Sequence, residues 1–97
     1  MKVPFEFKAK LWRYEAAGGW YFISLPTEVS QEIRTLFKKE EEGWGRLKVT
    51  AQIEQTQWET AIWFDTKQHT YLLPVKAAVR KKEKVSTGTD LKVIVFV

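Results

Sequence analysis

A mainly β fold, a small closed or nearly closed barrel of six to seven strands with two short helices over its openings, is predicted by three observations. Apolar residues alternate with polar ones in several separate stretches, the period of a half-buried strand. The pair Leu-Pro ends an apolar stretch twice, at Leu25 and at Leu73, each time ahead of a helical pattern. The segments between strands are too short for the crossover helices that a doubly wound sheet needs.

The elements follow in order. Val3, Phe5, Phe7, Ala9 and Leu11 alternate as a first strand, and "AAGG" turns the chain. "WYFISL", Trp20 to Leu25, is a second strand that stops at Pro26. Val29, Ile33, Leu36 and Phe37 then recur at helical spacing, with Pro26 and Thr27 suited to a helix start and Gly43 to its exit. Glu40, Glu41 and Glu42 would sit at the negative end of the helix dipole, so fraying is expected after Lys39. "GWG" reads as a loop. Leu47, Val49, Ala51 and Ile53, the turn "EQTQ", and Trp58, Thr60, Ile62 and Phe64 form a hairpin. "DTKQ" turns into a short strand, His69 to Leu73, and Pro74 opens a second helix with Val75, Ala78 and Val79 inward. "STGTD" leads to the last strand, Leu91 to Val97, and the whole chain reads as one barrel domain, 1–97.

The two Leu-Pro phrases suggest an internal duplication. Phe5, Phe7, Ala9 and Leu11 match Leu47, Val49, Ala51 and Ile53, and Leu25-Pro26 matches Leu73-Pro74. An isolated hairpin is marginal in water, whereas two halves paired about a pseudo-twofold close a barrel and leave no free edge.

Composition bounds the rest. With 44% hydrophobic and 14% aromatic residues the chain has material for a core, and without cysteine that core rests on packing and hydrogen bonds, as suits a reducing cytoplasm. The start "MKVPFEFKAKLW" lacks the apolar centre of a signal peptide, and the runs "AIWF" and "VIVFV" are far shorter than the ~20 residues of a membrane helix. A cytoplasmic, soluble protein that engages no membrane is expected. The net charge of +4 is concentrated at Lys76, Arg80, Lys81, Lys82 and Lys84, opposed locally by Glu83 alone. Such a patch attracts phosphates or acidic surfaces, although a solvated helix end presents the same pattern.

One His and no Cys cannot form the usual zinc site, so no metal is expected and His69 reads as a strand-end surface residue. As a catalytic base His69 would have to serve Ser24, Ser30 or Ser86, none of them in a nucleophile elbow. The glycines of "GGW" and "GWG" do not join a strand to a helix as a phosphate loop does. Glu54, Glu59, Asp65 and Asp90 offer carboxylates, but acid and base roles need environments that split them. No catalytic residues, no cofactor and no enzymatic activity are expected.

The strongest candidate ligand site is Lys76 with Arg80 on one helical stripe, near Trp44, Trp58 and Trp63. Lys76 offers a point charge and Arg80 a planar fork suited to carboxylate or phosphate. Two readings of Arg80 stay open: a ligand contact, or a tie to Asp65, Glu59 or Asp90 that holds the helix to the barrel. Trp63 likewise either points outward and stacks on a ligand, or lies under the first helix against Phe37.

With "GGWYFISLP" and "WETAIWF" upstream of "YLLPVKAAVRK", the chain resembles a small bacterial and archaeal barrel family known only as a domain of unknown function, whose members are often fused to an OmdA-type bacteriocin-protection segment. The resemblance places weight on Trp20, Leu25, Pro26, Trp58, Leu73, Pro74, Lys76, Arg80 and Gly88, and it implies a fold rather than an activity. Thr89 stands between Gly88 and Asp90 where that family has Asp directly, which implies a rearranged last turn. The sequence stops at Val97, so the role of a fused segment is not carried over. The order strand, Leu-Pro, helix with Arg, Gly-Thr-Asp, strand also looks like the swapped-hairpin half-barrels of bacterial transition regulators, which bind DNA as dimers.

The expected function is therefore a non-enzymatic binding or accessory module, a monomer or weak homodimer, with a cationic cleft for an anionic small molecule or an acidic protein. The alternative is a nucleic-acid-binding module using Arg80, Lys81, Lys82 and Lys84.

Overall fold

In the computed structural model, which describes residues 2–15 and 18–97, the alternating stretches form six strands: β1 (Pro4–Arg13), β2 (Tyr21–Ser24), β3 (Arg46–Ile53), β4 (Thr56–Asp65), β5 (Thr70–Pro74) and β6 (Asp90–Phe96). All neighbours are antiparallel, and the sheet closes in the order β1-β2-β5-β4-β3-β6. Ala16 and Ala17 of the expected "AAGG" turn lie outside the described residues.

Register puts the apolar members of each alternation on one inner face. Leu11 stands opposite Ile23, Ile23 opposite Leu73, Phe64 opposite Tyr71, Leu47 opposite Ile62, Ala51 opposite Val95 and Phe7 opposite Val93. Their side chains make one buried cluster, with Phe64 partly buried against it. Each full Leu, Ile or Val burial contributes roughly 1.5–3 kcal/mol.

The helices α1 (Thr27–Phe37) and α2 (Ala77–Glu83) cover opposite ends. At one end Ile33 of α1 is fully buried, and Phe37 meets Phe5 edge to face at 6.4 Å. At the other, Val79 of α2 is buried and Glu83 accepts a hydrogen bond from the Thr56 hydroxyl.

Several boundaries differ from expectation. α1 ends at Phe37 and tightens into a 3-10 turn over Lys38–Glu40, and Leu36 is 59% exposed because the apolar stripe is narrower than its spacing suggested. "GWG" is a second 3-10 turn, in which Trp44 takes the left-handed φ of 68°. The hairpin turn is Glu54-Gln55 only, because Thr56 pairs with Ile53 and joins β4. Pro74 ends β5 instead of opening α2; Lys76 is the residue before the helix, and Ala78 faces solvent. Proline fits the end of β5 because its missing N–H removes no ladder bond there.

A pseudo-twofold is present, with a different correspondence from the one the Leu-Pro pairs suggest. Exchanging β1-β2-α1-β3 with β4-β5-α2-β6 leaves every strand adjacency unchanged, so β1 matches β4 and not β3. Two hydrogen bonds relate to each other by this exchange: Leu25 N–H donates to the Tyr71 carbonyl and Val75 N–H to the Tyr21 carbonyl, both at 2.9 Å. Leu25 therefore corresponds to Val75 and Pro26 to Lys76, each of the latter pair just before a helix. Leu73-Pro74 lies two residues too early to match Leu25-Pro26 in space.

Candidate functional site

Inward-facing Leu11 forces Trp12 outward, and inward Ile23 does the same for Phe22. These two face each other across β1 and β2, with ring centroids 5.3 Å apart. Phe22 also meets Tyr14 edge to face at 6.4 Å and lies parallel to Trp20 at 6.1 Å. On the other side of the pseudo-twofold, Trp63 of β4 occupies the place of Trp12 and Leu72 of β5 that of Phe22. The result is an open groove of about 520 Å³ on the outside of the barrel, walled by Trp12, Trp20, Phe22, Trp63 and Pro74, with Asp65 at its edge. Trp20 is 57% exposed and Trp63 39% exposed.

The pose of Trp20 depends on Gly18. At φ 108° Gly18 occupies a backbone region unfavourable to other residues, and a Cβ there would come within 3.0 Å of the Trp20 indole. Trp12 is fixed by its indole N–H, which donates to Ser24 Oγ at 2.9 Å. Trp63 does not lie under α1 against Phe37: it faces outward with the Arg46 guanidinium 5.8 Å from its ring, while Phe37 packs on Phe5. Strand parity decides this, since Ile62 and Phe64 take the inner face.

Lys76 and Trp58 share a smaller hollow of about 230 Å³, and Trp20 and Pro74 belong to both this hollow and the groove. Lys76 thus stands at one end of the aromatic face. It is exposed and has no carboxylate within ion-pair distance among the described residues. Glu59 in the same hollow is engaged by Thr50, whose hydroxyl donates at 2.6 Å, and by Lys2 at 3.5 Å. The Thr50 hydrogen bond, followed by the charge of Lys2, holds the Glu59 carboxyl below the usual carboxylate range.

Arg80 is turned across the end of the barrel. Its guanidinium lies 3.8 Å from the centre of the Tyr21 ring, and Nε donates to the Val75 carbonyl at 3.2 Å. Asp90 instead pairs with Lys10 at 2.9 Å, Glu59 with Lys2, and Asp65 accepts the Lys67 N–H at 3.0 Å. Trp44 is 91% exposed in its 3-10 turn, and it lines neither the groove nor the Lys76 hollow. Lys81, Lys82 and Lys84 all face solvent at the end of α2, with Lys84 in the left-handed conformation at φ 53°.

The serine and carboxylate candidates are dispersed. Ser24 accepts from Trp12, Ser30 is buried beside Leu25 and Tyr71, and Ser86 contacts Thr89. His69 stands in the β4–β5 turn with φ 56° and meets Phe64 edge to face. Glu54 caps the Lys92 N–H at 3.2 Å. Among the described residues no three His, Asp or Glu side chains come together as a metal-ligand set. Among the described residues no helix is long and apolar enough to cross a membrane.

Trp58, Trp63 and Lys76 stand out as candidates in the sequence, whereas Trp12, Tyr14 and Phe22 join them only through the strand pairing. The parity of Leu11 and Ile23 was the available signal. What these features define is a small antiparallel barrel with a helix over each end and an aromatic outer face bordered by a lysine. The chain belongs to a domain family of unknown function, DUF1905, whose model matches residues 7–95. No curated protein matches it.

Proposed function

We propose that the domain is a non-enzymatic binding module that uses the aromatic outer face as its contact surface, with Lys76 orienting an anionic small molecule or an acidic partner. The observation that carries this reading is the gathering of Trp12, Tyr14, Trp20, Phe22 and Trp63 on one exposed groove. Exposing that much apolar ring surface is unfavourable in water, and tryptophan, tyrosine and arginine are the residues that dominate binding energy where such patches meet a ligand or partner. Lys76 adds, at the end of the groove, a cation with no ion-pair partner among the described residues. Arg80, one turn on, braces the helix against Tyr21 and lines neither the groove nor the Lys76 hollow.

An anionic aromatic probe tests this directly. The folded protein should enhance the fluorescence of 8-anilinonaphthalene-1-sulfonate, with Trp20→Ala and Lys76→Gln each weakening the effect while far-ultraviolet circular dichroism stays unchanged. No enhancement by the folded wild type rules out the aromatic face as a binding surface. Short DNA and RNA provide the competing outcome. Anisotropy that collapses between roughly 50 and 200 mM salt through counterion release, and that follows Lys82→Gln rather than Trp20→Ala, replaces this reading with a nucleic-acid module using Arg80, Lys81, Lys82 and Lys84.

A further inference from the structure

At the end of the barrel covered by α1, this helix and the β4–β5 turn border a hollow of about 560 Å³ whose lining residues are distinct from those of the aromatic groove. Arg34 and Lys38 reach it from successive turns at the end of α1, His69 and Thr66 from the turn, and Gln31 and Phe64 complete its walls. The guanidinium of Arg34 lies 3.7 Å from the centre of the Phe64 ring, which holds the fork flat and leaves its edge free. His69 meets the same ring edge to face at 6.5 Å.

Charge distinguishes this hollow from its neighbours. The groove and the Lys76 hollow contain Asp65 and Glu59 respectively, and two further hollows of about 350 and 390 Å³ also contain one or other of those carboxylates. The hollow at α1 is lined by no carboxylate. Neither Arg34 nor Lys38 has an ion-pair partner among the described residues. Of the nearby acids, Glu41 accepts the Tyr71 hydroxyl and is not within ion-pair distance of Arg34, and Glu42 pairs with Arg46 at 2.6 Å and Lys48 at 3.8 Å. Two unpaired cations one helical turn apart therefore face a hollow whose other polar groups are an imidazole, a hydroxyl and an amide.

We propose that this hollow binds a phosphate group carried by a small soluble ligand. The planar Arg34 takes two of its oxygens, Lys38 supplies the second positive charge, and His69, Thr66 and Gln31 offer lateral hydrogen bonds. A carboxylate has two oxygens and would leave the second cation and the turn donors unused, whereas a phosphate dianion engages both sides of the hollow.

The test is a titration of the full chain with inorganic phosphate and pyrophosphate, followed by ¹H–¹⁵N spectra at constant ionic strength set with sodium chloride. Saturable shifts are expected at the Arg34 Nε–H and the amides of Lys38, Thr66 and His69. Arg34→Lys keeps the charge but loses the fork and should weaken binding about tenfold, the equivalent of one lost charge-assisted hydrogen bond. Lys38→Gln, at an exposed position that leaves the fold intact, should weaken it by about threefold or more, and Lys82→Gln on α2 should leave it unchanged. Shifts that do not saturate, shifts centred on Lys81 and Lys82, or an unchanged affinity in Lys38→Gln each overturn the site. Co-sedimentation with phosphatidylserine–phosphatidylcholine vesicles that is lost in Arg34→Lys overturns the soluble ligand in favour of a lipid headgroup.

Discussion

The backbone N–H of Tyr71 donates to the side-chain oxygen of Ser30 at 3.0 Å, so a helix hydroxyl takes the place of a strand partner for β5. Ser30 is fully buried, and its own hydroxyl reaches back to the Leu25 carbonyl at 3.4 Å. Ser30→Ala should therefore lower stability by about 1–3 kcal/mol, the cost of leaving a buried N–H unpaired. Urea unfolding monitored by tryptophan fluorescence measures this. A loss under about 0.5 kcal/mol would show that the bond is not needed to hold α1 on the barrel.

Tyr71 also sets an alkaline limit. Burial, followed by the hydrogen bond to Glu41 and the charge of that carboxylate, pushes its phenol above the ordinary value. The folded state then holds the proton more tightly than the unfolded chain. Its contribution is complete below about pH 10, where the unfolded phenol titrates, and declines above it by up to ~1.4 kcal/mol per pH unit. Unfolding free energies from pH 9 to 11 should fall more steeply for the wild type than for Tyr71→Phe. Parallel slopes would remove Tyr71 as the cause.

Arg80 rests on an aromatic face and a carbonyl rather than on a carboxylate. Arg80→Ala should cost about 1–2 kcal/mol for the lost cation–π contact and hydrogen bond, well short of the ~3–5 kcal/mol that follows from stranding a buried charge. Lys82→Ala provides the surface comparison and should stay within about 0.5 kcal/mol. Equal effects of the two substitutions would mean that the stack on Tyr21 contributes nothing.

Thr70 carries a buried hydroxyl with no hydrogen-bond partner among the described residues. Thr70→Val keeps the β-branched shape and removes the unpaired group, so stability should rise by about 1 kcal/mol. The thermal midpoint reports it, and a lower midpoint would show that the hydroxyl is satisfied in solution.

Leu47, Val49, Ala51 and Ile53 were legible as a strand because each residue obeys the same inside-outside alternation along its whole length. Antiparallel neighbours and the positions of both helices followed from short turns. Leu36 was not legible, because spacing marks a stripe on a helix but not how wide a stripe the barrel end covers. Pro74 misled for a related reason: a proline suits a strand end as well as a helix start, and only the pairing of Phe22 with Pro74 separates the two. At the candidate sites, Lys76 and Arg80 were legible as cations four residues apart. The ring under Arg80 was not, since Tyr21 is distant in sequence. Arg34 and Lys38 have the same spacing, but what gives them interest is His69, brought across by the β4–β5 turn.

The two ends of the chain run side by side: Val3 N–H donates to the Val97 carbonyl at 2.8 Å and Val97 N–H to the Val3 carbonyl at 2.9 Å. Together with the twofold exchange of halves, this makes the barrel a ring whose starting point is arbitrary. A circular permutant opened at the Glu54-Gln55 turn, with the old ends joined by a short glycine linker, would run β4-β5-α2-β6-β1-β2-α1-β3 and repeat the original order of elements with the halves exchanged. Such a chain has the same pairings to make and the same core to fill, so the order in which the ribosome delivers the halves is free to change while the fold is not.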